Sequence, residues 1–136
     1  MMRMRTLPVV FVLLLACSSA YSQSLTEEFS FQIKDFKMDH QTQTNNLNIS
    51  ISYRYIANIQ KPDYPDFRWL AKDVETLLSN YPNKDDYWEI VNKQITSMLL
   101  NKYRGLTSVT CEIKVDPSSL IPYTRTSRVT RSRKRA

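Results

Sequence analysis

One stretch constrains this chain more than any other. Leu47, Ile49, Ile51, Tyr53, Tyr55, Ala57 and Ile59 occupy every second position over thirteen residues, and Asn48, Ser50, Ser52, Arg54, Asn58 and Gln60 lie between them. A period of two belongs to an extended strand with one face on a core and the other on water or a partner; no helix shows it. Upstream, Phe29, Phe31 and Ile33 keep the same period and then slip to Phe36 and Met38, the phase change that one added residue near Lys34 or Asp35 produces. Asp39 to Asn46 is polar and turn-like, so the two strands are expected to pair antiparallel, with His40 a solvated residue of the turn.

Two prolines between Lys61 and Pro65 end the sheet, and Asp66 is placed to cap a helix whose apolar residues Phe67, Leu70, Val74, Leu77, Leu78 and Tyr81 follow helical spacing up to Pro82. A second helix presents Trp88, Val91, Ile95, Met98 and Leu99 on one stripe and is expected to stop at Gly105, the single glycine, in the left-handed conformation. Val109, Cys111, Ile113 and Val115 predict a third strand, and Tyr123 to Arg131 a fourth. The order ββααββ in 136 residues predicts one α+β domain, a four-stranded antiparallel sheet covered on one face by two helices. Its polar face and two long edges stay exposed. Such edges require management, and joining copies strand edge to strand edge into a homo-oligomer is the expected solution; cover by loops, or protection by the Lys and Arg of the last strand, is the alternative.

The ends read differently from the body. In Met1 to Ser22, Arg3 and Arg5 precede an apolar run, Leu7 to Ala16, followed by small residues, as in a secretory signal peptide cleaved before Gln23. The run is too short to span a bilayer, so no transmembrane segment is expected in the mature chain. The expected location is therefore periplasmic or secreted. Lipidation at Cys17 within Leu14-Leu15-Ala16-Cys17 is the alternative, and either route leaves Cys111 without a disulfide partner, as a small core side chain. The net charge of +6 lies at the termini: residues 23 to 124 hold 11 basic against 13 acidic side chains, and six basic residues fall between Arg125 and Arg135. Specific nucleic-acid binding is not expected. Domain bounds follow at 1–22 for the signal peptide, 23–131 for the fold and 132–136 for a disordered basic tail. One glycine and one histidine exclude glycine-rich phosphate loops and multi-histidine metal centres, so neither metal nor cofactor is expected.

The order of elements, and the residues from Tyr87-Trp88-Glu89-Ile90-Val91 through Leu99-Leu100-Asn101-Lys102-Tyr103 to Val109–Pro117, resemble the tunnelling fold (T-fold), and most closely dihydroneopterin aldolase. The resemblance covers Glu28 to about Arg131. It implies ring-shaped barrels that bind pterins or purines between subunits, with a carboxylate near the start of the second helix holding the ligand's guanidine-like edge; the matching residue is Glu89. A carboxylate accepts two parallel N–H bonds from an amino-pyrimidinone, which suits that role. Glu89 also stands three residues after Asp86, the spacing of a capping box, and both readings remain open.

The aldolase equipment for proton transfer does not carry over. Phe67 occupies the slot of a tyrosine at the start of the first helix, and Asp116 the slot of a lysine closing the third strand. The expectation is an exported, non-catalytic domain that binds a flat heterocycle at subunit interfaces or serves as an oligomeric scaffold. Ligand-binding candidates are Glu89, Phe67, Tyr53 and Tyr55; Tyr64 and Trp69 are further stacking surfaces. The alternatives are a divergent aldolase-like enzyme, with Asp116 the nearest catalytic candidate, and an envelope-interaction module using the basic tail.

Overall fold

The computed structural model describes residues 23–134. Strand β1 (Glu28–His40) and strand β2 (Gln43–Tyr55) are followed by a 3-10 turn at Lys61–Asp63, then helices α1 (Phe67–Ser79) and α2 (Trp88–Lys102), then strands β3 (Leu106–Val115) and β4 (Arg125–Ser132). The sheet runs β1-β2-β3-β4, antiparallel throughout, so β1 and β4 are the edges. Helix α1 lies toward β1 and α2 lies across β3 and β4. The alternation in β2 sets the buried face: Leu47, Ile49, Ile51 and Tyr53 are all at most 2% exposed. Val109, Cys111, Ile113 and Val115 continue that face on β3, and Leu70, Val74, Val91, Ile95 and Leu99 close it from the helices.

The added residue in β1 is where the phase slip places it. Ile33 pairs with Ile49 and Phe36 with Leu47, and between them Asp35 takes a left-handed φ of 55° with its N–H on the Asn48 side chain. This bulge keeps Phe36 and Met38 on the core side.

Several expectations are corrected. Asp39 to Asn46 is not a loop, because pairing continues to His40↔Gln43 and the turn is only Gln41-Thr42, both left-handed at φ 51° and 64°. Side chains close that end, with Thr44 Oγ1 donating to Asp39 at 2.6 Å and Asn45 Nδ2 to the His40 carbonyl at 2.9 Å. The tip folds onto the segment before α2, where the Gln41 N–H donates to the Lys84 carbonyl at 2.9 Å. His40 is therefore buried, at 1% exposure, with Nε2 2.7 Å from the Asp86 carbonyl and its ring 4.8 Å from that of Trp88. Correspondingly, β2 starts at Gln43 and ends at Tyr55 rather than running to Ile59.

Asp66 caps α1, accepting from the Arg68 N–H at 3.0 Å. No capping box opens α2: its N-cap is Tyr87, and the Asp86 carboxylate is taken by the Tyr81 hydroxyl at 2.6 Å and the Asn83 amide at 2.8 Å. At the other end α2 stops before an extended Tyr103, and Gly105 is not left-handed. Close approach explains that glycine instead, since a Cβ there would stand 2.9 Å from the Asp63 carbonyl oxygen and 3.1 Å from Ile59 Cδ1. The boundary at residue 132 also moves. Ser132 ends β4, the Arg133 N–H bonds the Thr107 carbonyl, and the Arg133 guanidinium donates to the carbonyls of Leu100, Tyr103 and Leu106. A cation on the last carbonyls of α2 is favoured by the helix dipole.

One polar feature holds α2 to the sheet. Asn92, fully buried, donates to the carbonyls of Cys111 and Ser127, each at 3.0 Å, and to Ser127 Oγ at 3.1 Å. It answers the mixed core-side face of β4, on which Arg125, Ser127 and Arg131 sit opposite Val115, Ile113 and Val109.

Replacing Gly105 with alanine forces the Asp63 backbone to shift. The expected result is a loss of about 1–3 kcal/mol in urea denaturation, as for overpacked sites, with the denaturant slope unchanged.

Candidate functional site

The sequence-derived candidates do not converge within one chain. Glu89 stands in the first turn of α2, exposed and without a hydrogen-bond partner among the described residues. Contacts of His40 and Gln41 with the 84–86 segment place that turn at the β1–β2 hairpin end of the sheet. Asp116 follows β3 at the same end but on the opposite face, where its carboxylate accepts from Asn46 Nδ2 at 2.6 Å and Asn48 Nδ2 at 3.4 Å. Phe67, Tyr53 and Tyr55 lie at the other end. Phe67 packs its ring 5.5 Å from Phe29 and 5.8 Å from Phe31, and Phe29 is the cross-strand partner of Tyr53. Leu47 and Tyr53 stand six positions apart on β2, roughly 20 Å of strand.

Their chemistry is correspondingly limited. The Tyr53 ring is buried among Phe29, Phe31 and Tyr55 rather than offered to a ligand. Burial, reinforced by the neighbouring Tyr55, pushes the Tyr53 phenol far above its ordinary value of 10.0. Tyr103 is raised by burial and by the Asp73 carboxylate that its hydroxyl bonds, and Tyr81 is pushed up to about 12 by burial and Asp86. None of these phenols ionises near neutral pH. Phe67 has no proton to give, and the Asp116 carboxylate is held by two amides. Cys111 is buried under the helices, and burial pushes its thiol up to about 12.

Two further surfaces flank these residues. At the end away from the hairpin, a groove of about 680 Å³ is lined by Ile56, Tyr64, Trp69, Tyr103 and Arg104, with Asp63 and Asp66 on its wall. Tyr64 and Trp69 are legible in the sequence as stacking surfaces, whereas Tyr103 and Arg104 join the groove only through the fold. Their only signal was the break between Lys102 and the β3 alternation. The sheet face opposite the helices carries polar rows in register: Ser30, Ser52, Thr110 and Thr130 stand side by side across all four strands. Flanking rows hold the ion pairs Arg54–Glu28 at 3.2 Å and Arg128–Glu112 at 3.6 Å. Among the described residues no cluster of three or more His, Cys, Asp and Glu side chains is arranged to hold a metal ion.

Comparison with solved structures identifies the architecture. Dihydroneopterin aldolase from Burkholderia thailendensis, crystallised with guanine bound, superposes with a TM-score of 0.62 over 80% of this chain and 93% of its own, at 10% identity. This chain has the tunnelling fold. A dihydroneopterin aldolase-like structure from Vibrio cholerae gives 0.58 over 77% of this chain and 98% of its own, at 8% identity. No protein-family model matches the sequence, and no curated protein does. At these identities the T-fold likeness reaches the backbone and goes no further.

The raised thiol and phenols fix the sign of an alkaline response. Cys111 ionises at its ordinary 9.0 when unfolded and near 12 when folded, so its contribution is fully present below pH 9 and is lost as pH rises toward 12. Tyr81, raised from 10.0 to about 12, acts in the same direction. Urea midpoints are expected to be level below pH 9 and to fall above it. A midpoint still level at pH 11 would mean that these groups are not buried.

Proposed function

We propose that this chain is an exported, non-catalytic T-fold domain that joins copies of itself through its β1 and β4 edges and holds a planar, guanine-like heterocycle at Glu89. The observation that carries the ligand is the state of Glu89: its carboxylate is exposed, it forms no capping box, and no described side chain competes for it. A carboxylate free at that position can accept the paired N–H donors of an amino-pyrimidinone edge. The guanine held by the Burkholderia aldolase is a ligand of that chemistry.

The edges support assembly. Four antiparallel strands make β4 run opposite to β1, so copies related by rotation about an axis along the strands continue the alternation when β4 of one meets β1 of the next. The edges also differ in charge. Strand β4 carries Arg125, Arg128 and Arg131 and no acid, whereas β1 and the residue before it carry Glu27, Glu28, Asp35 and Asp39 against Lys34 and Lys37. Opposite charges across a strand pair favour the heterologous contact over β4 meeting β4.

The non-catalytic reading is supported by the same residues. Proton transfer requires a titratable group within hydrogen-bond reach of the ligand, and Phe67 and the amide-bound Asp116 do not supply one.

Light scattering on the purified chain is expected to give a multiple of the monomer mass. Calorimetry with guanine or a pterin is expected to show binding that Glu89→Gln weakens about tenfold or more, since each 1.4 kcal/mol is one decade. Because Glu89 caps nothing, the substitution should leave the melting temperature nearly unchanged. Unaltered affinity in Glu89→Gln rejects the ligand site, and a monomer at high concentration rejects the assembly.

A further inference from the structure

We infer that the end of the domain opposite Glu89 is a membrane-contact face, on which Trp69, Tyr64, Ile56 and Leu25 meet the interfacial region of a lipid bilayer. This face is independent of the Glu89 site and requires no heterocycle.

Exposure marks it first. Trp69 is 60% exposed although it sits in the first turn of α1, and Leu25, Ile56 and Tyr64 are exposed beside it. Isolated apolar residues on a surface need no explanation, but a contiguous group with a groove between them marks an interaction site. Ile56, Tyr64 and Trp69 share the 680 Å³ groove, and Leu25 joins Ile56 and Tyr64 in lining the adjoining hollow. The composition suits a lipid headgroup layer. Trp and Tyr offer an apolar ring with a polar handle, the pair enriched where hydrocarbon gives way to water. Lys72 Nζ lies 5.8 Å from the centroid of the Trp69 ring, and Arg104 opens onto the groove, so cations stand at the level where phosphates would be.

The chain's own path selects the bilayer over other occupants. The first described residues, Gln23 to Glu27, run along this same face, fastened where the Tyr64 hydroxyl donates to the Glu27 carboxylate at 2.6 Å. Cys17 lies six residues upstream of Gln23, and the contact rests on the lipidated alternative to cleavage before Gln23, in which Cys17 stays with the chain. From Cys17 to Gln23 the chain reaches at most about 20 Å. A membrane that receives a lipid on Cys17 is thereby brought against the end of the domain that carries the exposed aromatic residues. Asp63 and Asp66 balance nearby cations, so the contact rests on the rings and is expected to be insensitive to salt.

The two tryptophans make the test direct, because Trp88 is only 7% exposed and Trp69 is the accessible one. The chain lipidated at Cys17 is mixed with phosphatidylcholine vesicles, with and without brominated acyl chains, and tryptophan quenching is read from both sides. The expected result is strong quenching by brominated lipid, a severalfold drop in quenching by aqueous acrylamide, and loss of both effects in Trp69→Phe. Ile56→Asp leaves Trp69 in place and should abolish the lipid quenching even where vesicles still co-sediment with the chain through the lipid on Cys17. Lipid quenching that persists in Ile56→Asp, or acrylamide quenching that vesicles leave unchanged, overturns the proposal. Shielding of Trp69 that appears without vesicles and grows with protein concentration assigns the face to a second copy and overturns it equally.

Discussion

The fold depends on the fact that β2 is paired on both sides and buried on one face. Leu47, Ile49, Ile51 and Tyr53 set a plane of apolar side chains, and a slip of one residue would exchange them for Asn48, Ser50 and Ser52. Every neighbour is held to that register. The bulge at Asp35 returns β1 to phase after Ile33, and β3 answers residue for residue from Leu47↔Val115 to Tyr53↔Val109. The helices then cover what the sheet presents. Over β2 and β3 they bring aliphatic side chains, and over β4, whose core-side face carries Ser127 and Arg131, α2 brings Asn92 and Thr96. A buried Asn whose amide donates to two strand carbonyls fixes the azimuth of the helix more narrowly than aliphatic packing does, because any other orientation strands those N–H groups as well as the Oδ1, which is already without a partner.

What was legible in the sequence is what periodicity encodes. The alternation of β2, the phase slip in β1 and the two helical stripes establish the layers, the bulge and the buried face. Features set by pairing or by distant contacts were misread. The hairpin end has polar composition, yet strand pairing is satisfied by backbone groups whatever the side chains, so Thr44 and Asn45 extend the ladder and His40 is buried by the 84–86 segment. The sequence position of Gly105 suggests the left-handed conformation glycine permits, whereas the structure uses the absence of its Cβ against Asp63. Asp86 and Glu89 have capping-box spacing, but Tyr81 and Asn83 claim Asp86 first. Spacing along a chain cannot register a competitor that arrives from another turn. The groove of Ile56, Tyr64, Trp69 and Arg104 was invisible for a related reason, since it is assembled from three segments that only the fold brings together.

The distribution of the candidates carries information of its own. Glu89 and Asp116 share an end of the sheet and differ in face; Phe67, Tyr53 and Tyr55 share the far end. No single copy can place a ligand between the two groups, because the sheet and its core fill the space. A ligand at Glu89, as proposed, would therefore be met by the immediate neighbours of that residue or by residues that another copy supplies. That is the physical reason assembly and ligand binding are linked in the proposed function, and Tyr53, buried among Phe29, Phe31 and Tyr55, serves packing rather than recognition.

The domain is polar along its strands, and closure would preserve that polarity. One end carries the hairpin tip and the free carboxylate of Glu89; the other carries the aromatic groove and the entry of the chain at Gln23. A ring built by joining β4 to β1 rotates copies about an axis along the strands, and such a rotation turns no copy upside down. All aromatic ends then lie in one plane and all Glu89 carboxylates in another. Contacts too weak to hold one copy at a bilayer add when several are presented together, since each after the first is made at high effective concentration. In that arrangement the plane proposed to face a membrane and the plane proposed to hold a ligand would be separated by the length of the sheet, so either could be occupied without obstructing the other.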